Sequence, residues 1–224
     1  MEYINIAVDG HSGSGKSTVC DMLARKLNIN HLSSGGIYRA IALYLSENNI
    51  DYNKYLLKDE KIQKEIEKEL KDCNIKVKFE NFVQKIILNN IDVTDNLNTE
   101  KISDISSIIS QNLQVRELVK KVQLNLAKTQ DIIIDGRDIT SEVLNNAKYK
   151  FFLTASIDVR AERRYLQYNK TISLDKIKKY LIERDYRDEH RDICPLKIVG
   201  DAIVIDSSNL NLEETVNKML SYIK

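Results

Sequence analysis

Residues 3–9, YINIAVD, form a mostly apolar run, and the apolar positions that follow, Val19, Leu23 and Leu27 in KSTVCDMLARKL (16–27), recur at helical spacing. This change of period predicts a strand, a turn and then a helix. A second helix is expected from Ile37 to about Leu45. Residues 50–98 break the rhythm. A charged helical stretch, KDEKIQKEIEKELKD (58–72), precedes two strand-like segments, IKVKF (75–79) and FVQKIIL (82–88), with Asn89 and Asn90 as a turn signal before Ile91. Helical periodicity returns from about 99 to 128. Strands at 131–135 and 149–154, helices across 158–190, a strand at 202–206 and a last helix from 212 complete the pattern. Strands alternating with helices predict an α/β fold with a parallel sheet, and 50–98 reads as a small antiparallel insert within one domain.

Charge narrows the chemistry. Lys+Arg 34 against Asp+Glu 33 leaves a net charge of +1, so no global field draws the chain to nucleic acid or membrane, and any anion site must be local. Cys20, Cys73 and Cys194 are too scattered for a metal motif, which fits a reduced, intracellular protein. With no secretory pattern at the N-terminus and no run of ~18 apolar residues, a cytoplasmic location is expected. Six of the 7 glycines (Gly10, Gly13, Gly15, Gly35, Gly36 and Gly136) fall in three short stretches, each after a strand-like segment. Arginine is used just as selectively: nine of the 10 lie at 39, 116, 137, 160, 163, 164, 184, 187 and 191, while lysine supplies the ordinary surface charge. Sparing, clustered use of the bidentate guanidinium suggests an anionic ligand.

GHSGSGKS, Gly10 to Ser17, is a phosphate-binding loop pattern placed after a strand and before a helix. Gly10, His11, Ser12, Gly13, Ser14, Gly15, Lys16, Ser17 and Thr18 are the expected ATP-binding residues. Lys16 would reach the β- and γ-phosphates and Ser17 would ligate Mg2+. A switch GTPase is disfavoured, since no Asp stands three residues before a glycine and no NKxD motif occurs. The Ile132–Ile134 run reads as a buried strand that ends in Asp135, placed as a second magnesium-site acid, and Arg137 and Asp138 follow at the strand's C-terminal edge, where ligands of open α/β sheets bind. A surface ion pair is the plainer alternative for Arg137 and Asp138. Arg184, Asp188 and Arg191, at i, i+4 and i+7, are expected on one helix face. Arg160, Arg163 and Arg164 crowd like charges that would repel unless an anion sat between them, with a solvated helix surface as the alternative. His11, His31 and His190 form no triad with a nucleophile and read as structural or incidental.

With these segments in view, the chain resembles bacterial-type cytidylate kinases (CMP/dCMP kinases), of the nucleoside monophosphate kinase group of P-loop proteins. IAVDGHSGSGKST, SSGGIYRAIAL, IDVTDNLNTEKISDISS, VREL, DGRDI, ERDYRDEHRDICPL and DAIVIDSSNLNLEETV carry the likeness over nearly the whole length, and GRD and ERDxRDxxR are more specific than the loop. The resemblance implies a P-loop nucleotide kinase fold: a central parallel sheet flanked by helices, a small antiparallel insert in the acceptor-binding region, and a helical lid. It implies a single domain, with a core of 1–36, 99–157 and 190–224, an acceptor region and insert at 37–98, and a lid at about 158–172. Ser34, Arg39, Arg137 and Arg191 would bind the CMP phosphate. Ser107, Arg116 and Asp138 would read cytosine, and Arg184 with Asp188 would hold the sugar. Lys16, Arg137, Arg160, Arg163 and Arg164 would act on the transferring phosphoryl group, the last three from the lid. The implied reaction moves the γ-phosphoryl group of ATP, with Mg2+, to CMP or dCMP in a monomer; alternatives are a UMP or AMP kinase, or a nucleotide-dependent regulatory protein. The chain departs from the family pattern at His11, where proline is usual, at Ser33, where an acid is common, at Thr140, where glycine is usual, and in the short lid connection QYNKTIS.

Overall fold

A computed structural model of the chain describes residues 3–50 and 60–224. The first two residues of the expected charged helix, 58 and 59, lie outside the described residues. In chain order the elements are β1 (Asn5–Gly10), α1 (Lys16–Leu27), β2 (Asn30–Ser33), α2 (Ser34–Glu47), α3 (Glu60–Leu70), β3 (Ile75–Glu80), β4 (Val83–Leu88) and β5 (Ile91–Asp92). There follow α4 (Glu100–Ile109), α5 (Leu113–Ala127), β6 (Ile132–Asp135), β7 (Tyr149–Thr154), α6 (Ile157–Gln167), α7 (Leu174–His190), β8 (Ile203–Asp206) and α8 (Leu212–Leu220). The chain forms two compact units, Met1–His31 with Gln130–Lys224, and Leu32–Thr129.

The first unit carries the parallel sheet, in the order β2-β6-β1-β7-β8. Ile6 lies opposite Ile133 and Val8 opposite both Asp135 and Phe151, while Leu153 faces Ile205. Ile132, Ile133 and Ile134 are all fully buried, as a central strand covered on both faces requires, which explains their unbroken apolar run. α1 and α8 close one face around Val19, Leu23, Phe151, Val216 and Met219. α8 starts at a capping box, in which the Asn211 side chain accepts from the Glu214 N–H and the Glu214 carboxylate accepts from the Asn211 N–H. The expected helical stretch 158–190 is two helices. They meet over a small core of Ala161, Ile177 and Leu181, and the turn between them places Asn169 and Lys170 at positive φ (50 and 62).

In the second unit β3 and β4 pair antiparallel, Ile75 opposite Leu88, and β5 adds to β4 through Asn89 and Asn90. Both asparagines have positive φ (46 and 69), the backbone that a tight two-residue hairpin needs. α2 packs against β4, α4 and α5. A side chain at Gly36 would lie 2.9 Å from Ile86 Cδ1, so the glycine lets helix and hairpin approach. The helical stretch expected over 99–128 breaks at Ser110–Asn112, where Asn112 caps α5 by accepting from the Val115 N–H. Among the described residues no helix is long and apolar enough to cross a membrane.

Candidate active site

The phosphate-loop pattern becomes a tight connection between β1 and α1. Gly13 and Gly15 are left-handed (φ +75 and +87), and a side chain at Gly10 would collide with the Leu153 carbonyl, so these glycines are dictated by the backbone. α1 starts without a side-chain cap and without an acid in its first turn, which leaves its N-terminal dipole to an anion. Lys16 is 5% exposed, and its Nζ donates to the Gly10 and His11 carbonyls, both at 2.7 Å. Burial, with repulsion from Arg137, lowers its pKa to about 7.

The three arginines of α6, expected around one anion, have different protein partners in the structure. Arg160 is buried: its Nε donates to Ala155 O (2.9 Å) and its Nη1 to Ser12 O (3.1 Å) and to the Asp185 carboxylate. Asp185 in turn accepts the Ser12 N–H at 3.1 Å. Arg163 donates to Ser14 O (3.1 Å) and to Ser207, through Oγ (3.1 Å) and O (2.8 Å). Arg164 lies 5.0 Å over the Tyr168 ring and donates to Gln167. Arg160 and Arg163 thus both bond carbonyls of the loop, whereas Arg164 contacts the end of its own helix. His11 bonds Thr154 Oγ1 (3.0 Å) through Nδ1 and Glu189 (2.9 Å) through Nε2, which ties the loop to α7.

At the end of β6, Asp135 Oδ2 lies 3.3 Å from Ser17 Oγ and Asp135 Oδ1 lies 2.9 Å from His31 Nε2. His31 Nδ1 meets Asp21 at 2.5 Å. A carboxylate only accepts, so both ring nitrogens carry protons and His31 is an imidazolium. Burial alone would lower its pKa, but the bonds to Asp135 and Asp21 outweigh it and hold it at about 9. Of the two readings for His31, structural or incidental, these bonds favour the first: it orients the acid at the strand end. Among the described residues no cluster of three or more His, Cys, Asp or Glu could hold a metal. The converging hydroxyl and carboxylate of Ser17 and Asp135 are hard oxygen donors of the kind Mg2+ takes alongside waters, so these residues fit that ion.

The GRD turn is held from below. Asp9, fully buried at the end of β1, accepts from the Ile139 N–H (2.9 Å), the Thr140 N–H (2.7 Å) and the Thr140 hydroxyl (2.7 Å). Burial raises its pKa to about 6 in spite of those bonds. Arg137 Nε donates to Asp188 Oδ2 at 2.9 Å, and Arg191 Nη2 lies 3.9 Å from Asp138 Oδ1. Burial favours a neutral Asp188, but Arg137, Arg184 and Arg191 together keep its pKa below the ordinary carboxylate value. Arg184 donates to the Tyr180 hydroxyl at 3.3 Å. Arg191 is not on the α7 face expected from its spacing: the helix ends at His190, and Arg191 is extended (φ −68, ψ 145), with Nε on Cys194 O at 2.7 Å.

In the second unit Ser34 opens α2 and its Oγ accepts from Gln123 Nε2 at 2.7 Å. The Gln84 amide accepts the Ser33 N–H (2.7 Å) and donates to Ser33 O (3.2 Å). A Cβ at Gly35 would lie 3.1 Å from Arg39 Nη1, which places that guanidinium over the start of α2. Arg116 is buried on α5, with Nη1 on Ser110 O at 2.8 Å and its guanidinium 5.9 Å from the Tyr38 ring centroid. Ser107 is buried on α4, where its carbonyl accepts from the Ser110 hydroxyl at 2.9 Å.

The family model for cytidylate kinase matches residues 6–224. The chain belongs to the cytidylate kinase family. It is 38% identical over 222 residues to a cytidylate kinase of Thermosipho melanesiensis, covering 98% of this chain and 96% of that one. It is 39% identical over 227 residues to one of Caldicellulosiruptor saccharolyticus, covering 98% and 95%. A solved structure of an uncharacterized protein from Eubacterium ventriosum, 14% identical, superposes with a TM-score of 0.52 over 98% of this chain and 97% of that one, a likeness of fold alone. Against the family pattern, two departures have local explanations. His11 makes side-chain bonds that proline could not, and the Thr140 hydroxyl adds a bond to Asp9. Sequence reading passed over Asp9, Gln84, Gln123 and Asp185 and gave His31 no partner. Asp9 had one available signal, an acid closing an otherwise apolar strand.

Proposed function

We propose that this member of the family transfers the γ-phosphoryl group of ATP to CMP or dCMP. The observation that carries the reading is that one unit holds both a formed phosphate loop and, after β6, a charged group of Arg137, Asp138, Asp188 and Arg191. A donor loop alone suits any nucleotide-dependent protein, whereas the second group suits a phosphorylated acceptor. Lys16 would leave the loop carbonyls for the ATP phosphates, and the N–H groups at the start of α1 would receive the same anion. Ser17, with Asp135 through water, would hold Mg2+, which supplies charge neutralisation to the phosphates. Arg137 and Arg191 are the candidates for the acceptor phosphate in this unit, and Ser34 and Arg39 are the candidates within Leu32–Thr129. Asp138 would read cytosine, and Arg184 with Asp188 would hold the sugar; within Leu32–Thr129, Ser107 and Arg116 are the candidates for contacts to the base. No general base is needed, because the attacking phosphate is already anionic near neutral pH. Arg164 is the α6 arginine with the fewest bonds to the loop and is the lid candidate. The test is ADP release from ATP with CMP, dCMP, UMP, AMP or no acceptor. Dependence on CMP or dCMP is expected. A preference for UMP or AMP would move the reading to another monophosphate kinase, and acceptor-independent ADP release would abandon the acceptor site.

A further inference from the structure

We propose that Arg160 and Asp185 are positioning residues for the donor nucleotide, a buried pair that fixes the Ser12 peptide groups and so aims the loop's N–H groups at the phosphates. The proposal rests on the reading that this loop binds ATP. In a trans peptide the C=O of one residue and the N–H of the next point in opposite directions. Arg160 holds Ser12 O and Arg163 holds Ser14 O, so the N–H groups of Gly13 and Gly15 are turned away from α6. Asp185 acts on the other side of the same residue, accepting the Ser12 N–H. Residue 12 is thereby clamped at both ends by two side chains that also bond each other. The loop and α6 touch here as well: a Cβ at Gly13 would lie 3.3 Å from Arg160 O. At 7% and 8% exposed, Arg160 and Asp185 are too deep to be surface charges, and each makes the other's burial tolerable. With Nε on Ala155 O and Nη1 on Ser12 O and Asp185, the guanidinium is committed to the loop's shape.

The test compares ATP and CMP binding separately by titration calorimetry, with steady-state kinetics alongside, for Asp185→Asn, Arg160→Ala, the double variant and Arg163→Ala. Asp185→Asn and Arg160→Ala should each weaken ATP binding about tenfold, the size of a lost charge-assisted bond, while CMP affinity stays within about twofold. The double variant should be no worse than the weaker single one, because the two act as one unit. Should the buried variants fail to fold, the partly buried Arg163→Ala decides: it should raise the ATP Kd about threefold with CMP affinity within about twofold. Unchanged ATP affinity with a lowered kcat, in either arginine variant, overturns the proposal and returns these arginines to the transferring phosphoryl group. If the wild-type chain binds neither ATP nor CMP, the function itself is misread; if it binds both and the variants bind ATP normally, only this inference fails.

Discussion

The two compact units stabilise their polar groups by different means. In the unit that carries the phosphate loop, buried charge faces buried charge: Arg160 with Asp185, Arg137 with Asp188, and His31 with Asp135. In Leu32–Thr129 three comparable supports are neutral: the Gln123 amide on Ser34, the Gln84 amide on residue 33 and the Thr94 hydroxyl on the Ile86 N–H. Removing one member of a buried ion pair costs roughly 3–5 kcal/mol, against about 1 kcal/mol for a typical neutral hydrogen bond. On the proposed reading the first unit receives a polyphosphate and must hold cations in place before the ligand arrives, and the opposed carboxylates make that possible. On the same reading Leu32–Thr129 orients one substrate and can rely on weaker bonds. Substitutions should therefore act strongly in the first unit and mildly in the second.

The strongest test is Lys16→Met. On the proposed reading the lysine's ammonium leaves the Gly10 and His11 carbonyls for the ATP phosphates, so phosphoryl transfer should fall by at least about 10³-fold. The fold should survive. Burial already penalises the charge, as its depressed pKa of about 7 shows, so an apolar side chain of similar length should leave the melting temperature equal or higher. Near-normal turnover, or loss of the native circular dichroism spectrum, would contradict the assignment of charge in this unit to ligand binding.

Asp138→Ala should come next. Cytosine presents an amino donor beside an acceptor, and uracil reverses both, so a carboxylate that accepts from cytosine meets an acceptor on uracil. The substitution should lower kcat/KM for CMP by roughly 3 kcal/mol, about 10²-fold, and for UMP much less. Asp138 also lies 3.9 Å from Arg191. Equal losses for both substrates would mean that it acts by placing Arg191 and does not read the base.

How much of this could be read in advance follows from the range of the interactions. The buried strand Ile132–Asp135 and the loop Gly10–Ser17 are legible because their cause is local: unbroken burial in one, left-handed glycines in the other. β2 was not, because Asn30–Ser33 offers one apolar residue, Leu32, and its strand form comes from its place at the sheet edge. The break at Ser110–Asn112 was obscured by apolar residues that keep helical spacing through it. The arginine positions were found, but not their partners. Asp185 reaches the Ser12 N–H from 173 residues away, and Asp9 reaches Thr140 from 131, so spacing along the chain carries no trace of either bond.

A third prediction concerns the His31 pair and pH. Its folded pKa of about 9 lies above the ordinary 6.5, so its stabilisation is complete below 6.5 and is lost as pH rises through 9. Lys16 acts oppositely: lowered from 10.5 to about 7, it makes the unfolded chain bind more protons over that interval, so stability rises with pH there. The wild-type curve should consequently be nearly flat between pH 7 and 9. The difference between wild type and His31→Gln, by urea denaturation in metal-free buffer, removes the lysine contribution. It should shrink by about 2 kcal/mol from pH 6.5 to 9, a figure reduced from the full linkage value because the Asp21 partner is 58% exposed and screened. Parallel curves would show that His31 carries no charge here.

The mildest effect should belong to Gln123, in the neutral unit. Its Nε2 donates to Ser34 Oγ at 2.7 Å, which occupies one lone pair of the hydroxyl and leaves the Ser34 hydrogen to be given elsewhere. On the proposed reading that hydrogen goes to the acceptor phosphate. Gln123→Met keeps the volume and removes the donor, so Ser34 can turn and satisfy itself locally. The expected loss is about 1 kcal/mol, roughly a fivefold rise in KM for CMP with kcat and KM for ATP unchanged. Ser34→Ala alone should produce the same rise, and the double variant should add nothing further, because the amide matters only through the hydroxyl it orients. Additive losses would mean that Gln123 serves the packing of α5 on α2 independently. A loss above about 10²-fold, as large as that expected of a buried charge, would break the contrast between the two units.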